Sequence, residues 1–291
     1  MEKKSKKQQE KSYPAALTVA ISDSTGGGGV QADLRTFNAF GVYGCSAVTA
    51  VAGRTPGKVT LFNRLSTDII STQIDTVLST VNVRFAKNGV LFNAGIIEAL
   101  AGAVKKHQLK LICDPAFTLP QERTAHAAEV IDAFKSKLMP LAAWLTPNSP
   151  EAELLLGEKI STFADQISAA KKLYALSGAS ILLKGGHAEK VPGQILPKVT
   201  DIICTDGRVC KVSSLKVELP QTAAYGVGST LSAALTATLA LGLPWDEAIC
   251  ASKAFVMGSL VENVRIGKTL SAMYPPANDY MSSISIEEMD V

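Results

Sequence analysis

The chain has 291 residues and a formal net charge of +3, and 47% of its residues are hydrophobic while only 6% are aromatic. Residues 1–11 hold five lysines and two glutamates, so the rest of the chain is electrically balanced. This balance excludes the broad basic surface by which proteins bind nucleic acids. No apolar run reaches the roughly 18 residues that cross a membrane. We therefore expect neither nucleic acid nor a membrane as a partner.

The cysteines and histidines show no metal-binding pattern. The five cysteines are scattered without a C-x-x-C pair, and the three histidines lie far apart in the sequence. Free thiols in a reducing compartment are favoured over disulfides or zinc, which predicts a cytoplasmic protein.

The Lys-rich segment 1–13 is expected to be a disordered leader. The apolar residues 15–21 run into Asp23 and glycines rather than a cleavage site, so they predict a strand instead of a signal peptide.

The first half of the chain alternates short apolar runs with segments of helical spacing. In chain order, the sequence predicts a strand at residues 17–21, a helix at 30–40, a strand at 43–52, a helix at 67–81, a strand at 85–91 and a helix at 94–107.

The second half continues this pattern. Three apolar runs, at residues 109–113, 142–145 and 181–183, each end at a polar or glycine loop. A β-meander is predicted at residues 192–217, followed by helices at 230–241 and 246–263. Repeated strand–loop–helix units predict a parallel sheet with helices on both faces. The loops at the carboxyl ends of its strands should then converge on one crevice.

The segment at residues 225–234 reads Tyr-Gly-Val-Gly-Ser-Thr-Leu-Ser-Ala-Ala. A glycine turn that opens directly into a helix of small residues aims backbone N–H groups and the positive end of the helix at one point. This pattern predicts an anion hole at Gly226 and Gly228, with Ser229 beside a migrating phosphoryl group. A second glycine loop at residues 26–29 lacks the Gly-Lys-Ser/Thr of a Walker loop.

Five ordered motifs resemble those of the hydroxymethylpyrimidine/phosphomethylpyrimidine kinases, a branch of the ribokinase-like superfamily. The resemblance runs from about residue 15 to about residue 263, and its motifs lie at residues 22–34, 40–44, 145–152, 183–187 and 226–234.

This resemblance implies a three-layer α/β/α sandwich with a mainly parallel central sheet, formed by a kinase domain at residues 14–275. Residues 276–291 are expected to be a loosely held tail. The family phosphorylates the hydroxymethyl group of the pyrimidine, and then its monophosphate, in thiamine biosynthesis. The implied partners are a small-molecule substrate, ATP and Mg²⁺, with a homodimer expected by analogy.

The resemblance also assigns roles to single residues. Asp33 matches the aspartate that contacts the pyrimidine, and Asp23 belongs to the same substrate loop. Asn148 and Glu151 match an N-x-x-E element that organises Mg²⁺ and phosphate through water, although such a pair can also be a helix cap. Lys184 matches a lysine near the nucleotide, where a cation stabilises the transferred phosphoryl group.

The sequence departs from the family at four places in the substrate and chemistry loops. Ser229 stands where the family has cysteine, and an unassisted serine hydroxyl is a weak base. Ile21 replaces a glycine and is expected to reach the pyrimidine pocket. Arg54 replaces a glutamine, which exchanges a donor and an acceptor for donors with a permanent charge. Residues 223–225 read Ala-Ala-Tyr in place of Asn-Thr-His.

Three hypotheses remain open from the sequence. The first is a kinase that acts on hydroxymethylpyrimidine or its monophosphate. The second is a kinase of the same fold for a pyridoxal-type vitamer, suggested by Arg54 because its charge suits a carboxylate or a phosphate. The third is a non-catalytic ligand-binding or regulatory relative, suggested by Ser229, Ile21 and Arg54 together.

Overall fold

The computed structural model describes residues 13–55, 58–117, 128–185, 188–189, 198–217, 225–267 and 271–291. Strands and helices alternate through most of the chain. The strands are β1 (Ala15–Asp23), β2 (Tyr43–Thr55), β3 (Lys58–Arg64), β4 (Val83–Asn88), β5 (Lys110–Cys113), β6 (Ala142–Leu145), β7 (Ser180–Leu183), β8 (Ala188–Glu189), β9 (Lys198–Thr205), β10 (Arg208–Leu215), β11 (Val264–Arg265), β12 (Ser271–Ala272) and β13 (Ser285–Glu288). The helices are α1 (Gly29–Ala39), α2 (Thr67–Thr80), α3 (Ala94–His107), α4 (Ala128–Ala133), α5 (Ser149–Leu156), α6 (Phe163–Ser177), α7 (Val227–Ala240) and α8 (Trp245–Val261).

One large sheet runs through the molecule in the order β13-β10-β9-β7-β6-β5-β4-β1-β2-β3, and β8 pairs with β9. The strands from β2 to β7 along this order are parallel to one another. Antiparallel strands extend both ends, with β3 beside β2 and β9 beside β7. The predicted mainly parallel sheet is therefore confirmed.

Helices cover both faces of this sheet. Along β1, the side chains of Leu17 and Val19 enter a core that includes residues of α2 to α6, whereas Ala16 points to the opposite face. There it packs with Phe37 of α1 and Ala233 of α7. Because alternate residues of a strand point to opposite faces, every central strand serves both cores. The result is the expected three-layer sandwich. Within the part of the chain described here, no helix combines the length and apolarity needed to cross a membrane.

The C-terminal segment differs from the expectation that it is loosely held. Strand β13 pairs with β10 and extends the sheet. Residues 277–280, which precede β13, are held by Glu262. Its carboxylate accepts hydrogen bonds from the backbone N–H groups of Ala277 and Asn278 and from the hydroxyl of Tyr280. Short polar segments with prolines give no periodic signal, so the sequence could not indicate this docking. Most of the predicted leader, residues 1–12, lies outside the described residues.

Replacement of Ile286 tests whether β13 stabilises the fold. Ile286 is partly buried against the core around α8, so Ile286→Ala should lower the free energy of unfolding by about 1–2 kcal/mol in urea denaturation. Val291 is 58% exposed, and Val291→Ala should change that free energy by less than about 0.5 kcal/mol. Equal stability of the two variants would mean that the tail is loosely held after all.

Candidate active site

A cavity of about 350 Å³ opens where the loops after the parallel strands meet the N-terminus of α7. We call it the central cavity. Ile21 lies at the end of β1, Asp114 follows β5, Asn148 follows β6, and Lys184 follows β7; all four line the cavity, as does Ser229 of α7. The carboxyl ends of parallel strands share one edge of the sheet, which is why residues from distant parts of the chain meet here.

The predicted glycine turn forms and leads straight into α7. Gly226 has a φ of +87° and precedes the first residue of the helix, whose N-terminus has no side-chain cap. A Cβ atom on Gly226 would overlap the carbonyl oxygen of Gly27. The backbone N–H groups of the first helical turn are therefore available to an anion in the central cavity, which Gly226 and Gly228 both line.

Ser229 is joined to a buried ion pair beneath the cavity. Its hydroxyl donates to Oδ1 of Asp33 at 3.0 Å and accepts from Nζ of Lys87 at 3.1 Å. Nζ of Lys87 lies 2.8 Å from Oδ1 of Asp33, and the Thr18 hydroxyl donates to Oδ2 of Asp33 at 2.6 Å. Thr18, Asp33 and Lys87 are all fully buried.

This placement corrects the expectation that Asp33 faces the substrate. Its carboxylate does not line the central cavity, and both oxygens are used inside the protein. Lys87 was not predicted from the sequence. The available signal was a lysine inside the segment 85–91, which is predicted to be a strand, because an unpaired charge is too costly to bury.

Lys184 lies between two carboxylates at the edge of the central cavity. Its Nζ is 2.9 Å from Oδ1 of Asp114 and 3.6 Å from Oε2 of Glu151. Burial lowers the pKa of Lys184, but the two carboxylates raise it by more, so its net shift is upward and the ammonium stays charged. For Glu151, burial outweighs the attraction of Lys184 and raises the pKa to about 7.

Asn148 and Glu151 form a reciprocal cap at the start of α5. The backbone N–H of Asn148 donates to Oε2 of Glu151, and Oδ1 of Asn148 accepts from the backbone N–H of Glu151, each at 2.8 Å. The alternative of a capping pair is thus realised, while both residues also line the central cavity. One role does not exclude the other, because a cap holds Glu151 in place.

The carboxylates near Lys184 fit a water-rich Mg²⁺ site better than a closed metal cage. Among the residues that the structure describes, no group of three or more His, Cys, Asp or Glu side chains could hold a metal ion. Asp114 and Glu151 still place carboxylate oxygens beside the cavity. Such hard oxygen donors suit a Mg²⁺ ion that keeps most of its water and binds phosphate.

Asp23, Arg54 and Tyr225 form a clamp at the mouth of the central cavity. The Tyr225 hydroxyl donates to Oδ2 of Asp23 at 2.5 Å, and the Arg54 guanidinium lies 4.8 Å from the centre of the Tyr225 ring. Nε of Arg54 is 3.9 Å from Asp23 and is buried without a hydrogen-bond partner. Burial, reinforced by the bond to Asp23, raises the pKa of Tyr225, so the phenol stays protonated.

The substrate residues predicted from the sequence therefore divide into two sets. Ile21 and Arg54 line the central cavity. Asp23 does not; it is fully buried and holds Arg54 and Tyr225 instead. Residues 223 and 224, where the family has Asn and Thr, lie outside the described residues.

A second cavity of about 430 Å³ adjoins the first. We call it the lateral cavity. It shares Asn148, Lys184 and Gly228 with the central cavity, and apolar side chains such as Leu231 and Met257 line its wall. A buried ion pair between Lys253 and Asp201, with 2.6 Å between Nζ and Oδ2, also lies on this wall. Because these shared residues belong to both linings, the two cavities lie next to each other at the N-terminus of α7.

Comparison with known proteins gives consistent matches. The sequence model of the family described as phosphomethylpyrimidine kinase matches residues 23–273. A hydroxymethylpyrimidine/phosphomethylpyrimidine kinase from Rhizobium meliloti is 34% identical over 87% of this chain and 93% of its own length. A pyridoxine kinase from Bacillus subtilis is 36% identical over 85% of this chain and 90% of its own. The solved ADP complex of Bacillus subtilis pyridoxal kinase superposes with a TM-score of 0.80 at 33% identity, covering 91% of this chain and 98% of that chain.

Gly226 and Gly242 provide a matched test of the close contact between the turn before α7 and Gly27. Both have φ near +85°, but a Cβ on Gly242 meets nothing within 4 Å. Gly242→Ala should cost about 1–2 kcal/mol of unfolding free energy from backbone strain alone. Gly226→Ala should cost about 1–3 kcal/mol more, because the Gly27 backbone must move. Equal costs in urea denaturation would contradict the contact.

The raised pKa of Glu151 predicts a pH-dependent stability. Between its ordinary value of 4.5 and its folded value of about 7, the folded protein binds more protons than the unfolded chain. The free energy of unfolding should therefore fall as the pH rises through this window. Glu151 should account for a loss of about 3 kcal/mol at most, since each pKa unit corresponds to about 1.4 kcal/mol.

Glu151→Gln keeps a side chain that can cap α5 and removes the titration. In chelator-containing buffer, the wild-type chain should lose stability relative to this variant between pH 5 and pH 7. Parallel stability curves over that range would show that Glu151 has an ordinary pKa.

Proposed function

The chain belongs to the phosphomethylpyrimidine kinase family, and from this premise we propose that it transfers the γ-phosphoryl group of ATP to hydroxymethylpyrimidine or its monophosphate. The observation that carries the proposal is the uncapped N-terminus of α7, whose first residues, Val227 and Gly228, line both cavities. A helix N-terminus with a glycine turn binds a phosphate through backbone N–H groups and the helix dipole. Its position between two cavities suits transfer from a nucleotide in one to an acceptor in the other.

The lateral cavity is the proposed site of the nucleotide. Its apolar wall suits a purine ring, and Gly228 and Lys184, which it shares with the central cavity, lie beside the N-terminus of α7. A triphosphate that extends past these two residues would bring its γ-phosphorus to the central cavity. The ADP complex of the Bacillus subtilis relative supports a nucleotide in this fold.

Lys184 is the proposed cation for the transferred phosphoryl group. The raised pKa keeps its ammonium charged, and a fixed positive charge stabilises a loose, metaphosphate-like transition state. Asp114 holds the ammonium at 2.9 Å, which fixes its position before a nucleotide arrives. Asp114 and Glu151 would hold Mg²⁺ through water, and the ion when bound would neutralise phosphate charge.

The central cavity is the proposed substrate site. Ile21 gives it an apolar wall, and Arg54 supplies a positive edge. Ser229 lies at the first turn of α7, where its hydroxyl can accept a hydrogen bond from the acceptor hydroxyl of the substrate. The homodimer and the cytoplasmic location remain predictions from the sequence.

A pyridoxal-type vitamer is the second candidate substrate. Arg54 favours it, because a guanidinium stacked on Tyr225 offers only donors and a charge. The 36% identity with a pyridoxine kinase also supports it. One substrate panel separates the two candidates.

The proposal is tested by the rate of ADP formation with hydroxymethylpyrimidine, its monophosphate, pyridoxine and pyridoxal. Lys184→Met should lower kcat/KM at least about 10²-fold, because it removes charge stabilisation at the transferred group. Lys172 pairs with Glu158 on the surface, and Lys172→Met should retain kcat/KM within about twofold as the matched control.

Turnover restricted to pyridoxine or pyridoxal would favour the second candidate. No turnover with any acceptor, together with calorimetric binding of a non-hydrolysable ATP analogue, would overturn the kinase proposal and indicate a ligand-binding relative.

A further inference from the structure

We propose that Ser229, Asp33 and Lys87 form a buried proton relay in which Asp33 accepts, through the Ser229 hydroxyl, the proton that leaves the substrate hydroxyl. The inference rests on the proposed kinase function and adds a route for the proton. It answers the difficulty that a serine hydroxyl is by itself a weak base. Ser229 would touch the substrate, whereas Asp33 and Lys87 would act through it.

The chemistry of the partners fixes the direction of each hydrogen bond. An ionised aspartate can only accept and a lysine ammonium can only donate. The proton of Ser229 therefore points to Oδ1 of Asp33 at 3.0 Å, and one lone pair of its oxygen is occupied by Lys87 at 3.1 Å. The other lone pair is left to accept from a hydroxyl in the central cavity, which Ser229 lines.

The second oxygen of Asp33 is held by Thr18. The Thr18 hydroxyl donates to Oδ2 at 2.6 Å, which leaves Oδ1 to Ser229 and Lys87. Thr18, Asp33 and Lys87 are fully buried, so bulk water does not compete for this proton. The only cavity-lining member of the network is the serine.

A buried ion pair by itself contributes little to the stability of a fold. Removing two charges from water costs several kcal/mol per ion, and apolar residues of similar volume often stabilise a fold as well or better. Asp33 and Lys87 are nevertheless both fully buried, directly under the serine of the anion hole. The relay gives this pair a role beyond stability, because the serine that contacts it also lines the central cavity.

The transfer is balanced without any further reactant. The substrate O–H bond breaks as a new O–H bond forms on Oγ of Ser229, and the former Ser229 proton moves to Oδ1 of Asp33. The substrate oxygen forms its bond to the γ-phosphorus while the β–γ bridging bond breaks, and the electron pair leaves on ADP. After product release, the proton returns through Ser229 to water. Lys87 keeps the network from becoming negative, which suits a site that holds phosphate.

The two acceptors of the proposed reaction supply an internal control. A hydroxymethyl group must lose a proton, whereas a phosphate monoester is already ionised at pH 8 because its second pKa is about 6. Loss of the relay should slow phosphorylation of hydroxymethyl groups and spare phosphorylation of the monophosphate. A structural role of Ser229 would affect both acceptors alike.

The experiment measures single-turnover rates of the full-length chain at pH 8 with both acceptors. Ser229→Ala should lower the rate on the hydroxymethyl acceptor roughly 10²-fold and change the rate on the monophosphate by less than about threefold. Thr236 is the matched control: it lies on the same helix, is fully buried, and donates to the backbone carbonyl oxygen of Ser232 at 2.7 Å. Thr236→Val should change both rates by less than about threefold.

The paired variant Asp33→Asn with Lys87→Met tests the ion pair without leaving a buried charge unpaired. It should lower the hydroxymethyl rate about as much as Ser229→Ala, and adding Ser229→Ala should cause little further loss, because the groups act as a unit. In case this variant does not fold, rates of the wild-type chain in mixtures of H₂O and D₂O give a second readout. Two protons in flight should give a curved dependence of the hydroxymethyl rate on deuterium content.

Three results would overturn the relay. Equal losses on both acceptors would assign Ser229 a structural role, and a linear deuterium dependence would mean that one proton moves. Full activity of Ser229→Ala on hydroxymethyl groups would remove the relay and leave the kinase function standing. Absence of wild-type turnover with every acceptor would overturn the kinase function and the relay with it.

Discussion

The close approach of two glycine loops determines the geometry of the site. The turn before α7 lies so near the loop after β1 that no side chain fits at Gly226, because a Cβ atom would occupy the place of the Gly27 carbonyl oxygen. This contact sets the N-terminus of α7 against the start of α1. Ser229 thereby reaches Asp33, although 196 positions separate them in the chain. The proposed anion hole, the serine and the ion pair beneath it all depend on that approach.

Buried charge is the second organising feature. Lys87, Lys184 and Lys253 each pair with a buried aspartate contributed by a different element. Desolvation makes such pairs expensive. The pairs of Lys184 and Lys253 line the two cavities, and that of Lys87 lies beneath the central one. They also differ in exposure. Lys184 reaches the cavity and stays charged, whereas Lys87 is enclosed and can act only through its neighbours.

Much of the fold could be predicted from the sequence because periodicity reflects burial. The helix predicted at residues 94–107 matches α3, which begins after the capping residue Asn93 and ends where Gln108 takes a left-handed conformation. Strand β3 and strand β13 were not predicted. The residues of β3 are mostly exposed, and β13 is an edge strand of four residues, so neither shows the hydrophobic alternation on which such predictions depend.

The candidate site was partly predictable, because some of its residues belong to local sequence patterns. Glycine turns and polar strand ends are local signals, and they located Gly226, Asn148, Lys184 and Ser229 at one crevice. Resemblance alone assigned Asp33 to the substrate, and the structure places it below the cavity floor, bonded to Lys87. No local pattern distinguishes a carboxylate that faces a cavity from one that faces a buried lysine 54 positions away.

The sequence by itself identified the family, through the resemblance of five ordered motifs, and that resemblance implied the three-layer sandwich. The spacing of apolar residues predicted a parallel sheet with helices on both faces, and local backbone preferences predicted the glycine turn before α7. Only the tertiary structure decided which charged groups meet. Asp23 holds Tyr225 and Arg54, Asp33 holds Ser229 and Lys87, and Glu151 caps a helix while facing Lys184. Such pairings depend on distances between elements far apart in the chain, and those distances are set by how the helices pack on the sheet.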